Sequence, residues 1–206
     1  SVGEPKPPSL EVPASIQARV DTHLRELGVT EATTLVAMHP SARQEVRRWP
    51  LGRFAEVAST IEKIPNTRVL VFVDPDGYGE TLAASGATCI RATVDELPAY
   101  LRRCAVFVGN DTGPAHIAAA VGVRTVTIFG PGAIDWFRPF GPGQRAVYLD
   151  PMPCRPCFDH CTQPTNVCLQ SLPVELVLGA VREELDCHRM TASRVDGRPA
   201  TSEIGG

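Results

Sequence analysis

The chain has 206 residues, of which 43% are hydrophobic and 21% charged, a composition typical of one soluble globular domain. Its formal net charge of −3 gives no support to nucleic-acid binding, because nucleic-acid binders are usually basic. No apolar run approaches the roughly 18–20 residues that cross a bilayer, and the first residues do not resemble a signal peptide, so we expect a cytoplasmic protein without a transmembrane segment.

Strands and helices are predicted to alternate along most of the chain. A proline-rich linker over residues 1–13 precedes a helix over 14–27, whose apolar residues recur at helical spacing until Gly28. Residues 188–206 are polar and aperiodic, which predicts a disordered tail and leaves 14–187 as one folded domain. The other predicted elements are, in chain order, strand 35–38, helix 50–64, strand 69–73, a short helix 80–85, strand 88–90, helix 94–103, strand 105–108, a strand within 122–131, strand 146–149 and helix 172–186.

This alternation predicts an α/β fold, with a Rossmann-like parallel sheet covered by helices on both faces. Ligands of such sheets bind beyond the carboxyl ends of the strands. Polar segments follow four of the predicted strands at that end: residues 39–43, 74–79, 110–116 and 130–135. We therefore expect these four segments to form one shared binding site.

The segment 110–116 is the most informative of the four. It leads from a buried strand into a helix, and either Asp111 or Thr112 can cap that helix. The start of a helix offers unpaired N–H groups and a partial positive charge, both of which suit phosphate. The candidate N–H donors belong to Thr112, Gly113 and Ala115, whereas His116 either faces the phosphate or packs inside. An ordinary, well-capped turn between strand and helix is the alternative.

Several motifs together resemble glycosyltransferase family 9, the bacterial ADP-heptose:lipopolysaccharide heptosyltransferases. They are Asp111-Thr112-Gly113-Pro114-Ala115-His116, the turn Phe129-Gly130-Pro131, and upstream His39-Pro40-Ser41-Ala42-Arg43 and Arg47-Arg48-Trp49-Pro50. The resemblance covers about residues 8–186 and only the C-terminal, donor-binding half of the family's two-domain GT-B arrangement. It implies the donor half of an inverting glycosyltransferase that uses a nucleotide-sugar, with ADP-heptose favoured.

The same resemblance implies what else the reaction needs. In the resembled enzymes the general base comes from the N-terminal half, so no catalytic residue is assigned in this chain. An N-terminal acceptor domain is expected in cis or in trans, with a lipopolysaccharide-type glycan, another glycan or a protein as acceptor. No cofactor is implied for the transfer itself. Peripheral attachment at the inner face of the membrane is an alternative to a free cytoplasmic location.

Four side chains are assigned to the donor through the resemblance. Arg47 stands where the family usually carries a lysine that contacts the diphosphate, and Glu80 follows the second strand, where a family carboxylate holds the ribose hydroxyls. Asp111 matches the motif aspartate and would bind sugar hydroxyls, whereas Ser41 would reach phosphate from the first strand. A helix cap for Asp111 and a surface or capping role for Glu80 are the alternatives.

Four of the seven cysteines lie within 15 residues, inside a proline-containing loop over 151–170. This spacing suits a tetrahedral thiolate site for zinc or iron, of structural type because all four positions are filled. Two disulfides or free thiols are the alternatives, and a cytoplasmic setting disfavours disulfides. Some members of the resembled family hold a metal in such a loop. The candidate ligands are Cys154, Cys157, Cys161 and Cys168, and His160 could replace one of them.

Two other functions are compatible with a Rossmann-like sheet. A non-catalytic nucleotide-binding module without an acceptor domain would share every donor-site motif described above. An NAD-binding protein is disfavoured, because no Gly-x-Gly-x-x-Gly follows the first strand and His39-Pro40-Ser41-Ala42-Arg43 stands there instead.

Overall fold

The structure, a computed structural model, describes residues 6–195 and contains one six-stranded parallel sheet. The strand order is β3-β2-β1-β4-β5-β6. The strands are β1 (Thr34–His39), β2 (Thr67–Phe72), β3 (Thr88–Ile90), β4 (Val106–Asn110), β5 (Arg124–Ile128) and β6 (Gln144–Val147). The helices are α1 (Ala14–Glu26), α2 (Leu51–Ile61), α3 (Leu97–Leu101), α4 (Gly113–Ala120), α5 (Ile134–Phe137), α6 (Val167–Gln170) and α7 (Val174–Val195), with short 3-10 turns at Glu45–Arg47 and Glu80–Ser85.

The central strands β1 and β4 are buried on both faces, which explains their apolar residues on both sides of the pleat. They pair in parallel, with His39 opposite Gly109. The chain order of the strands reverses between these two, so the sheet has its switch point there, and this topology places a ligand crevice beyond their carboxyl ends. The predicted α/β fold, a parallel sheet with helices on both faces, is confirmed.

Two separate cores hold the helices against the sheet. On one face the sheet packs against α1, α3 and α4, and on the other against α2 and α7. Trp49, just before α2, is fully buried; its ring meets Phe54 edge-on at 5.0 Å, and its indole N–H donates to the carbonyl of Leu172 at 3.1 Å. This tryptophan therefore fixes the loop before α2 to the segment that enters α7.

The helix α7 is held to the sheet by a buried ion pair. Glu184 accepts from Arg124 Nε of β5 at 2.6 Å and from Arg145 Nε of β6 at 3.2 Å. The helix continues to Val195, so the prediction of a disordered tail is wrong for residues 188–195. The remainder of that tail, 196–206, lies outside the described residues.

The proline-rich segment before α1 lies near the amino ends of the strands, at the end of the sheet opposite the crevice. Within it the Leu10 N–H donates to the carbonyl of Ala120, at the end of α4, at 2.9 Å. Residues 1–5 of the predicted linker lie outside the described part of the chain. Between residues 6 and 195, no helix combines the length and the apolar character that crossing a membrane requires.

Candidate functional site

Asn110 joins the two loops that border the crevice. It ends β4 and is fully buried; its amide Nδ2 donates to the Pro40 carbonyl at 2.7 Å, and its Oδ1 accepts the Trp49 N–H at 3.0 Å. The side chain therefore closes both ends of the loop 40–49 onto the end of β4. Arg47 lies within that loop, so this one amide sets its place relative to the turn that follows β4.

The start of α4 provides fewer free N–H donors than the sequence predicts. The Ala115 N–H donates to the Thr112 carbonyl at 3.1 Å, whereas the N–H groups of Thr112 and Gly113 donate to no acceptor within residues 6–195. The Thr112 hydroxyl turns back to the Asn110 carbonyl at 3.2 Å and does not cap the helix. A Cβ added to Gly113 would meet no atom within 4 Å, so the space beside Gly113 at the start of α4 is open.

Two carboxylates flank the guanidinium of Arg47 beside this open space. Its Nε donates to Asp159 Oδ1 at 2.6 Å, and its Nη1 lies 3.7 Å from Asp111 Oδ2. The Asp159 hydrogen bond raises the pKa of Arg47, so the guanidinium is a permanent cation. Burial raises the pKa of the Asp111 carboxyl, and the nearby Arg47 is the main group that opposes that shift.

The other predicted donor residues are placed less directly. The Ser41 hydroxyl is buried beneath the crevice, whereas His116 is exposed on the first turn of α4. Glu80 is exposed, and its carboxylate accepts from Arg91 at 3.0 Å, on a short turn that Gly79 begins with φ of +96°. The structure thus brings Arg47, Asp111 and the α4 start together and leaves Glu80 on the rim.

His39 and Asp74 form a pair that the sequence analysis did not identify. The His39 Nε2 donates to Asp74 Oδ1 at 3.1 Å, linking the ends of β1 and β2. This hydrogen bond lowers the pKa of Asp74 to about 2. Both residues lie in the polar segments expected to converge, and that position was the signal that could have identified them.

The four cysteines at 154, 157, 161 and 168 line one small cavity together with Val46 and the Gly130-Pro131 turn. Burial raises the pKa of both Cys157 and Cys168. The Cys161 thiol points to the carbonyls of Gln163 and Thr165, at 3.8 and 3.7 Å. No group of three or more His, Cys, Asp or Glu side chains within residues 6–195 is already arranged around a common metal position. The donor set fits zinc or iron chemically, and binding would require the thiols to rotate and lose their protons.

The fold and these residues define a Rossmann-like α/β domain with a polar site at its switch point, where Arg47 lies between two carboxylates. A family model, glycosyltransferase family 9 (heptosyltransferase), matches residues 6–167. The chain belongs to this family of glycosyltransferases, as its motifs predict.

The curated relatives of this chain carry the names of heptosyltransferases. Lipooligosaccharide heptosyltransferase 2 of Campylobacter jejuni is 30% identical over 97 residues, which cover 46% of this chain and 30% of that protein. Lipopolysaccharide heptosyltransferase 3 of Escherichia coli is 26% identical over 144 residues, which cover 66% of this chain and 42% of that protein. This chain therefore spans less than half the length of the curated relatives it matches.

A solved structure gives the same fold. The E. coli ADP-heptose LPS heptosyltransferase II superposes with a TM-score of 0.71 at 19% identity, over 91% of this chain and 56% of that one. The likeness extends over nearly the whole chain but over only about half of the solved protein.

Proposed function

We propose that this chain is the donor-binding half of an inverting glycosyltransferase that transfers heptose or a related sugar from ADP-heptose. A lipopolysaccharide-type glycan, another glycan or a protein would be the acceptor, and the chain would act in the cytoplasm or at the inner face of the membrane. The relatives carry the names of heptosyltransferases, and the solved structure is that of an ADP-heptose enzyme. The whole reaction would require an acceptor domain, supplied on the same polypeptide or by another chain.

The observation that carries this proposal is the start of α4 next to an arginine. The N–H groups of Thr112 and Gly113 donate to no acceptor within residues 6–195, and the carboxylate of the preceding residue, Asp111, lies 3.7 Å from Arg47 Nη1. Breaking the bond between sugar and nucleotide places negative charge on the leaving diphosphate. N–H groups at a helix start and a nearby arginine stabilise such charge, and they need no rearrangement while it develops.

The chain's own residues would bind and stabilise the donor and would not activate the acceptor. Asp111 is buried beside Arg47, where its carboxylate can accept hydrogen bonds from sugar hydroxyls. The base that removes the acceptor proton would belong to the acceptor domain. Glu80 would approach the ribose hydroxyls after leaving Arg91, its present partner.

The proposal is tested by calorimetric titration of the purified, reduced chain with ADP, UDP, GDP and NAD. We expect ADP to bind, and Gly113→Ala to weaken its binding about tenfold because the added methyl group enters the open space. Gly179→Ala in α7 is the matched control, since a Cβ there also meets no atom within 4 Å. A Gly113→Ala chain that melts normally and binds ADP like the original would contradict the phosphate position.

Two further outcomes separate the alternatives. Binding of UDP or GDP in preference to ADP would retain the glycosyltransferase function and change the donor. ADP binding without sugar transfer, when an acceptor domain of a relative is supplied, would favour a non-catalytic nucleotide-binding module.

We also propose that the four clustered cysteines hold a structural zinc or iron ion. The support is their shared cavity and their spacing along the loop. The metal would cross-link the cysteine-rich loop and would take no part in glycosyl transfer.

A further inference from the structure

We propose that Asp159, on the cysteine-rich loop, is a positioning residue that holds Arg47 for the donor diphosphate. The proposal rests on the proposed function, since it assumes that a diphosphate lies in front of Arg47. None of the donor motifs in the sequence includes Asp159, which lies 112 positions after Arg47.

The contact between Asp159 and Arg47 leaves the two terminal nitrogens of the guanidinium free to bind a ligand. Asp159 takes only the Nε–H of Arg47, at 2.6 Å, and Asp111 at 3.7 Å is an ion-pair neighbour beyond hydrogen-bond distance. Of the five N–H donors of an arginine, the four on the terminal nitrogens make no hydrogen bond within the described residues. A carboxylate that holds Nε fixes the plane of the guanidinium and directs its terminal edge elsewhere.

The backbone conformation of the cysteine-rich loop places the Asp159 carboxylate next to Arg47. Phe158 and Asp159 both adopt positive φ, at 47° and 71°, which is uncommon for residues other than glycine and more costly for the phenylalanine. The N–H groups of Cys157 and Phe158 both donate to the Pro131 carbonyl, at 3.1 and 3.3 Å. The loop is thereby anchored to the turn after β5, immediately beside the crevice.

A second contact ties the same loop to the same partner segment. Asn166 Nδ2 donates to the carbonyl of Val46, the residue before Arg47, at 3.1 Å. The cysteine-rich loop therefore holds both the backbone before Arg47 and its side-chain tip. Arg47 is 29% exposed, and without these contacts the donor would have to immobilise a long side chain when it binds.

The test is a double-mutant cycle on ADP affinity, measured by calorimetry. The four chains are the original, Asp159→Ala, Arg47→Ala and the double variant, each checked by thermal melting. We expect Asp159→Ala to weaken ADP binding about threefold to tenfold, through the ordering cost of Arg47. In the Arg47→Ala background the same change should have no further effect, because a positioning residue acts only through its partner.

Two additional variants separate positioning from loop stability. Asp159→Asn keeps an oxygen that can accept from Nε, so it should retain much of the affinity that Asp159→Ala loses. Thr162 lies in the same loop, is exposed and makes no side-chain hydrogen bond within the described residues, so Thr162→Ala should bind ADP like the original chain. An equal loss with and without Arg47, or tighter ADP binding by Asp159→Ala, would overturn the proposal.

A measurement on the ligand-free chain, solvent exchange of the Arg47 Nε–H, tests this proposal separately from the proposed function. The Arg47 Nε–H resonance should be protected from solvent exchange in the original chain and lose that protection in Asp159→Ala. Equal exchange in both chains would overturn the positioning role. If ADP fails to bind the original chain, the proposed function fails, and the resonance still decides whether Asp159 holds Arg47.

Discussion

Asp111 and Gly132 approach each other so closely that no side chain fits between them. A Cβ built on Gly132 would stand 2.9 Å from Asp111 Oδ2, under the distance that real Cβ atoms tolerate. Gly132 follows the Gly130-Pro131 turn after β5, and Asp111 follows β4. The bare backbone at Gly132 is therefore what allows the Asp111 carboxylate to lie beside Arg47.

Replacing Gly132 by alanine should displace the Asp111 carboxylate. We expect Gly132→Ala to lower the free energy of unfolding by about 1–2 kcal/mol, because the added methyl group overpacks a buried site. Urea denaturation measures the change. In an Asp111→Ala background the same substitution should cost almost nothing, since the clashing oxygen is gone, and an undiminished cost there would contradict this explanation.

The His39–Asp74 pair should make stability depend on pH. The folded chain holds the pKa of Asp74 at about 2, below its ordinary value, so the contribution of this carboxylate is present above about pH 4 and is lost as pH falls through 2. We expect Asp74→Asn to reduce the free energy of unfolding at pH 7 by about 1 kcal/mol or less, since the side chain is 40% exposed.

Urea denaturation at pH 7, 4 and 3 tests this dependence. The difference between Asp74→Asn and the original chain should shrink as the pH falls below 4. Asp95→Asn, an exposed acid without a side-chain partner in the described part of the chain, serves as the control and should show no such trend. A difference that grows on acidification would mean that the sign is wrong.

Two adjacent glutamates of α7 offer a matched comparison of buried and exposed ion pairs. Glu184 is 6% exposed and pairs with Arg124 and Arg145, whereas Glu183 is 63% exposed and pairs with Arg145. We expect Glu184→Gln to cost about 2 kcal/mol, because it removes the buried carboxylate that accepts from two partly exposed arginines. Glu183→Gln should stay within about 0.5 kcal/mol of the original in thermal and urea melts. Equal effects at both positions would show that burial does not decide the strength of this cluster.

Removing one clustered thiol should release the proposed metal. We expect Cys154→Ser to abolish stoichiometric zinc or iron in elemental analysis and to lower the melting temperature by several degrees. Cys187→Ser is the control, because that cysteine is exposed on α7, away from the loop. A metal-free original chain whose melting is unchanged by Cys154→Ser would exclude the structural metal.

Much of the sheet could be predicted because its strands are continuous apolar runs. The predicted strands 69–73 and 88–90 differ by at most two residues at either end from β2 and β3. The start of α1 was also predicted correctly, whereas the helix predicted over 94–103 contains only α3, Leu97–Leu101. Thr93 and Glu96 form a reciprocal capping box ahead of it, which agrees with a start after Thr93, but residues 94–96 and 102–103 are turns.

Contacts between distant segments could not be predicted from any local pattern. The two four-residue helices α5 and α6 are too short to show a periodicity. The motif identified Asp111 and Arg47, but Asp159 reaches Arg47 only because the loop turns back over the end of β5. Thr112 was predicted as a possible cap of α4, yet its hydroxyl donates to the Asn110 carbonyl instead.

The two hydrogen bonds of the Asn110 amide have a thermodynamic consequence for ligand recognition. Asn110 already binds the backbone of Pro40 and Trp49 to the end of β4, so the loop 40–49 is ordered before a nucleotide binds. A nucleotide would then bind to a preorganised site. The nucleotide would lose conformational entropy on binding, whereas the protein would lose little. The heat capacity change on binding should accordingly reflect only the surface that the nucleotide covers, without a contribution from coupled folding.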